Sequence, residues 1–212
     1  MKPVSCEISA MVQNIKAVEN IEGIEEWPHS WPEGEISYRL NSFSDDLKKK
    51  WQTRAVTVAL RTWQLRLGKI KFRRERNPDT SVDFDVSFED LAHFDGKKGV
   101  LAHAIFPGQG KPSGDCHIND EWDWVAGTAF QKLSKPPLVP ILIHEFGHSL
   151  GLRHDPIDPN SIMYPSFDLG KKKYKLGPND ITRIQERYTP RTLPQRILDM
   201  FALRRLHSRD FR

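Results

Sequence analysis

Residues 144–155 read HEFGHSLGLRHD. Two histidines four residues apart stand one turn apart on the same face of a helix, so both imidazoles reach a single cation. Imidazole is a good ligand for zinc, and a catalytic zinc takes three protein ligands while keeping a fourth position for water. Glu145, next to the first histidine, is placed to act as general base toward that water. Gly151 permits a sharp turn, because glycine alone enters positive φ freely. The turn brings His154 back toward the same cation. The pattern therefore predicts a catalytic zinc on His144, His148 and His154, with Glu145 as the base.

The elements that must carry these residues are legible in the surrounding pattern. Glu35–Leu40 alternates like a strand with one buried face, as do 69–74 and 81–88, where Val82, Phe84, Val86 and Phe88 interleave with Asp83 and Asp85. Residues 99–106 read as a further strand and 115–119 as a short one. Ser44 is a candidate N-cap with Asp45 and Asp46 in the first turn. Beyond it Leu47, Trp51, Ala55, Ala59 and Trp63 recur every four residues, which predicts a long helix to about Leu67. A second helix spans 138–152, with Pro140 tolerated in its first turn. A third starts near Pro178 and runs through Ile181, Ile184 and Gln185 to Tyr188.

The spacing HExxHxxGxxH, followed by Met163 in the turn SIMYP, resembles the metzincin clan of zinc endopeptidases. Within that clan the sequence is most similar to the matrixins, the matrix metalloproteinase catalytic domains. The resemblance spans roughly residues 35–190. It rests on ISYRL, on FDGKKGVLAHAIFPGQG at 94–110, on GDCHIND at 114–120, on HEFGHSLGLRH, on IMYPSF, and on LGPNDITRIQERY at 176–188. It implies an α+β fold: a twisted, mostly parallel five-stranded sheet with an antiparallel edge strand, three helices, and the active-site helix below a substrate cleft. It also implies a zinc-dependent endopeptidase acting on extended protein segments, with Met163 as an apolar floor beneath the metal. Leu101 and Ala102 would form the edge that receives the peptide. Pro165 to Phe167 would wall the pocket for the side chain after the scissile bond. The alternative is a non-catalytic peptide-binding relative, which would have no need of Glu145.

Departures from the family pattern concern the other metals and latency. Matrixins hold a structural zinc with a His-x-Asp pair and two further histidines. His103, His117 and Asp90 fall at three of those positions, but Phe88 stands at the fourth, and His93 is nearby but out of register. Either a weakened zinc site or two hydrogen-bonded strand histidines fits this pattern. Cys116 is expected on the opposite face from His117. For calcium, Asp95, Gly96 and Gly99 match, yet Lys97 and Lys98 lie between them and Asn119 replaces an aspartate, which opposes a cation that wants hard oxygen ligands. Cys6, in PVSCEIS, lacks the PRCGxPD neighbours of the matrixin latch.

Composition bounds the rest. The 212 residues are 38% hydrophobic and include six tryptophans, enough for a buried core. No apolar run approaches the roughly 18–20 residues of a membrane span. Two cysteines cannot make a disulfide framework. Three segments are expected: a leader at 1–34 that is not a recognisable pro-domain, a catalytic domain at 35–190, and a basic tail at 191–212. The net charge of +4 equals the tail's own excess, six arginines against Asp199 and Asp210. The catalytic segment is thus neutral by count, and no nucleic-acid partner is expected. A monomer acting on protein or peptide substrates is expected. The N-terminus shows no secretory h-region, whereas the family resemblance points to an extracellular setting.

Overall fold

A computed structural model describes residues 4–5, 26–108, 110–126, 135–167 and 175–188. Cys6 and the basic tail lie outside the described residues. The elements in chain order are β1 (Val4–Ser5), β2 (Glu35–Leu40), α1 (Lys49–Gln64), β3 (Lys71–Arg74), β4 (Phe84–Glu89), β5 (Ala102–Ala104), β6 (Cys116–Asn119), α2 (Leu138–Ser149), β7 (Ser166–Phe167) and α3 (Pro178–Arg187).

Five strands form one sheet in the order β3-β2-β4-β6-β5. Four of them run parallel, and β5 closes the edge antiparallel to β6, with Ala102 opposite Ile118 and His103 opposite His117. This is the α+β, mostly parallel sheet with an antiparallel edge strand that the resemblance implies. Alternation along β4 sorts its side chains. Phe84, Val86 and Phe88 join the hydrophobic core, while Asp85, Ser87 and Glu89 take the opposite face. Ser87 is in register with His117, so His103 and His117 lie on that polar face. Cys116 faces the other way, fully buried, and burial pushes its thiol well up from its ordinary value.

Helix α1 starts later than its apolar spacing suggests. Ser44 makes a local turn instead of a cap, its hydroxyl accepting the Asp46 N–H at 3.2 Å. The buried Gln52 amide holds that loop by donating to Ser44 O and Leu47 O and by accepting the Ser44 N–H. The Asp46 carboxylate serves a distant element, accepting the Trp124 N–H at 2.9 Å. A side chain with tertiary partners has displaced the local cap.

Helix α1 packs on α2, and Trp63, fully buried, donates its indole N–H to Ile143 O at 2.7 Å. All twelve residues of α2 are buried, which is why it reads as apolar on every face. Residues 26–33, read from sequence as part of a leader, pack against the end of this helix. The Trp31 indole donates to Ser149 O at 2.7 Å, the Trp27 N–H donates to Gly151 O, and Glu26 pairs with Arg183. A separate two-stranded pairing sets Val4 and Ser5 antiparallel to Phe167 and Ser166.

Candidate active site

The helix α2 ends where the histidine pattern requires it to. Ser149 is the last helical residue and Leu150 its C-cap; Gly151 follows at φ +93, a conformation that L side chains rarely adopt. The Gly151 N–H donates to His148 O at 2.8 Å and the Leu152 N–H to Gly147 O at 2.9 Å, the paired bonds of a Schellman termination. The Tyr188 hydroxyl and the Trp31 indole satisfy two more of the helix's final carbonyls, Leu150 O and Ser149 O. A Cβ at position 151 would also meet the Arg187 guanidinium at 2.6 Å and displace it, but it is φ that demands glycine here. The chain then doubles back and delivers His154.

The three imidazoles converge with ring centroids 4.7–5.2 Å apart, His148 edge to face with each of the other two. His144 Nδ1 lies 2.6 Å from Ile162 O, and His148 Nδ1 lies 2.7 Å from Leu152 O. A carbonyl only accepts, so both Nδ1 atoms carry the proton and both Nε2 lone pairs face inward. His148 Nε2 and His154 Nε2 stand 3.2 Å apart. Two nitrogens at about 2.0–2.1 Å from one tetrahedral zinc would be separated by roughly 3.3–3.4 Å. One ligand atom from each of the three histidines falls in a single cluster of metal-binding dimensions. Burial, then the neighbouring imidazoles, holds His148 well below the usual histidine range; burial, then Arg183, takes His154 down to about 4. At neutral pH both rings are therefore neutral bases, the form that binds a metal.

Met163 is fully buried. Gly147 sits between the two helical histidines, and a Cβ there would fall 2.3 Å from Met163 Sδ and 3.1 Å from the Trp63 ring. Methionine and helix approach so closely only because position 147 has no side chain. Helix α3 positions the methionine turn. Asp180, fully buried, accepts from Ser161 Oγ at 2.5 Å, from the Ile162 N–H at 2.9 Å and from the Gly177 N–H at 2.7 Å. A continuous path thus runs from the Asp180 carboxylate through the Ile162 peptide to the His144 ring.

The third ligand is fixed in a similar way. The Asp155 N–H donates to Met163 O, and its buried carboxylate accepts the N–H groups of Ile157 and Asp158 and the Asn179 amide. Arg183 donates to Arg153 O, directly before His154. Glu145 is buried on α2 beside His144.

The remaining sequence-predicted residues fall elsewhere. Leu101 and Ala102 lie on or directly before β5, the sheet's edge strand, and Pro165 directly precedes β7. Asp95, Gly96 and Gly99 lie in the exposed turn after β4, whereas Asn119 is buried, its amide donating to Val100 O and accepting the Glu121 N–H. His103 and His117 meet at 2.9 Å, and the ring that joins them is His93, at 3.3 and 3.0 Å. Asp90 stays out of that cluster; its carboxylate accepts the His93 N–H. Phe88 is core filler, edge-on to Trp124.

The matrixin family model, Peptidase_M10, matches residues 29–189. The chain belongs to the matrixin family. It is 36% identical over 166 residues to matrilysin of Felis catus, covering 76% of the chain and 61% of that protein. It is 34% identical over 168 residues to matrix metalloproteinase-25 of Homo sapiens, covering 74% of the chain and 29% of that protein. Over 164 residues it is 33% identical to neutrophil collagenase of Homo sapiens, covering 74% of the chain and 33% of that protein. The chain thus matches less than two thirds of the length of each of these relatives. This matrixin carries the three-histidine cluster expected of a zinc-dependent family.

Sequence reasoning did not single out Gly147 or Asp180. A glycine inside a helix costs about 1 kcal/mol relative to alanine, which signals a packing reason. Asp180 left no comparable signal, because an aspartate in a first helical turn is ordinary.

Two outcomes follow for the metal centre. Gly147→Ala lowers thermal stability and zinc affinity despite the better helix propensity of alanine, by about 1–3 kcal/mol in stability from overpacking on Met163; calorimetry and zinc titration check it. Asp180→Asn weakens zinc binding by roughly 10–100-fold through the His144 path, read by competition with a chromophoric chelator.

Proposed function

We propose that this matrixin is a zinc-dependent endopeptidase that cuts peptide bonds within extended protein segments. The observation that carries the reading is the convergence of three imidazoles, those of His144 and His148 held by backbone carbonyls, close to a carboxylate, Glu145, on the helix that bears those two. Zinc, when bound to His144, His148 and His154, supplies Lewis acidity toward the scissile carbonyl and lowers the pKa of a water.

Glu145 takes the proton of the attacking water and delivers it to the departing amine. Its burial excludes bulk solvent from that exchange and strengthens its electrostatic influence. The edge strand β5 offers Leu101 and Ala102 for antiparallel addition of the substrate backbone, the mode in which an extended peptide extends a sheet. Pro165 to Phe167 form the outer wall of the pocket for the side chain that follows the scissile bond. Met163 keeps an apolar floor under the ligand rings, and family membership supports an extracellular setting.

Hydrolysis of a quenched peptide by the full chain, abolished by a chelator and restored by zinc, tests this reading. Glu145→Ala lowers kcat by about 10²–10⁴-fold while zinc content stays unchanged. Peptide binding without turnover in the unaltered protein would contradict the endopeptidase reading.

A further inference from the structure

We infer that His93, His103 and His117 form a second transition-metal site, built from three imidazoles with a fourth position open to solvent. This ligand set differs from the His-x-Asp pattern expected by resemblance. The nitrogens involved are His93 Nε2, His103 Nε2 and His117 Nδ1. Their separations are 3.3, 3.0 and 2.9 Å. Each ring nitrogen carries either one hydrogen or one lone pair, directed along a single axis in the ring plane. A triangle in which every nitrogen faces both others is therefore not satisfied by hydrogen bonds. A cation at its apex satisfies all three lone pairs at once. The triangle's edges are close to the roughly 3.3–3.4 Å that a tetrahedral zinc imposes on its nitrogen ligands.

The fold supplies the three rings from two separate features. His103 and His117 are cross-strand partners on β5 and β6, on the polar face of the sheet. His93 comes from the turn after β4, where Phe94 is buried against the His93 and His103 rings and the Asp90 carboxylate accepts the His93 N–H at 3.1 Å. Asp90 thus positions the loop instead of joining the cluster. Glu89 lies outside the cluster too, its carboxylate accepting from Ser87 Oγ. His93 is exposed and the other two rings are half-buried, so the fourth position faces water.

Three imidazoles and a water suit zinc and also accept cobalt, nickel or copper. With only three protein ligands, the ion exchanges more readily than one in a closed four-ligand site. When bound, it ties the turn after β4 to the β5–β6 pair, and hence to the chain that enters edge strand β5.

The test counts metal in the full chain, loaded with zinc and dialysed against metal-free buffer, by mass spectrometric elemental analysis. The unaltered protein is expected to hold two equivalents, His93→Gln one, and Asp90→Asn two. Addition of a chromophoric chelator removes one equivalent in a separate phase that His93→Gln lacks. Because a variant can misfold, a second measurement uses the unaltered chain: zinc is expected to protect His93 from acylation by diethyl pyrocarbonate, read by peptide mass spectrometry. One equivalent in the unaltered protein, two in His93→Gln, loss of the second in Asp90→Asn, or equal His93 modification with and without zinc would overturn the proposal. Loss of peptide hydrolysis with both equivalents retained would count against the protease reading alone.

Discussion

A metal centre built from His144, His148 and His154 depends on ring orientation before it depends on anything else. An imidazole has two nitrogens, and it serves as a ligand through one only if the other is committed elsewhere. Here the commitment is made by backbone carbonyls, Ile162 O for His144 and Leu152 O for His148. Those carbonyls belong to segments that follow α2, so the chain beyond the helix decides how the helix can act. The Schellman turn at Gly151 fixes Leu152, and the Asp180 carboxylate on α3 fixes Ile162. Loss of either support leaves the histidines in sequence order but no longer aimed at one point.

Burial gives His148 and His154 their chemical form. A half-buried or buried imidazole resists protonation, and that keeps a lone pair available at neutral pH. Phe106, buried and edge-on to His148, supplies part of this environment. The tight contact between Gly147 and Met163 belongs to the same arrangement, since Met163 can approach the helix that bears His144 and His148 only where that helix lacks a side chain. Packing and ligand basicity are two consequences of one placement.

The sequence made the catalytic cluster legible because helix period and glycine chemistry are local rules. His144 and His148 share a face by spacing, and Gly151 announces its own turn. The mostly parallel five-stranded sheet and its antiparallel edge strand came through resemblance and match the structure. What was not legible depends on long-range partners. The Ser44 cap gave way to Gln52, whose amide holds the loop from inside the core. His93 looked out of register against the His-x-Asp spacing of the family; the turn beyond β4, which ends at Glu89, carries its ring to His103 and His117. Residues 26–33 read as part of a leader, yet their tryptophans donate to Ser149 O and Gly151 O at the end of α2. Backbone acceptors such as Ile162 O leave no trace in side-chain identity.

Anomalous diffraction at the zinc edge from crystals of the zinc-loaded chain tests the central claim most directly. The account predicts a peak about 2.0–2.1 Å from the Nε2 atoms of His144, His148 and His154, with both Nδ1 atoms of the helical pair still on their carbonyls. A peak bound through Nδ1 of either helical histidine, or no peak within reach of all three rings, would contradict it.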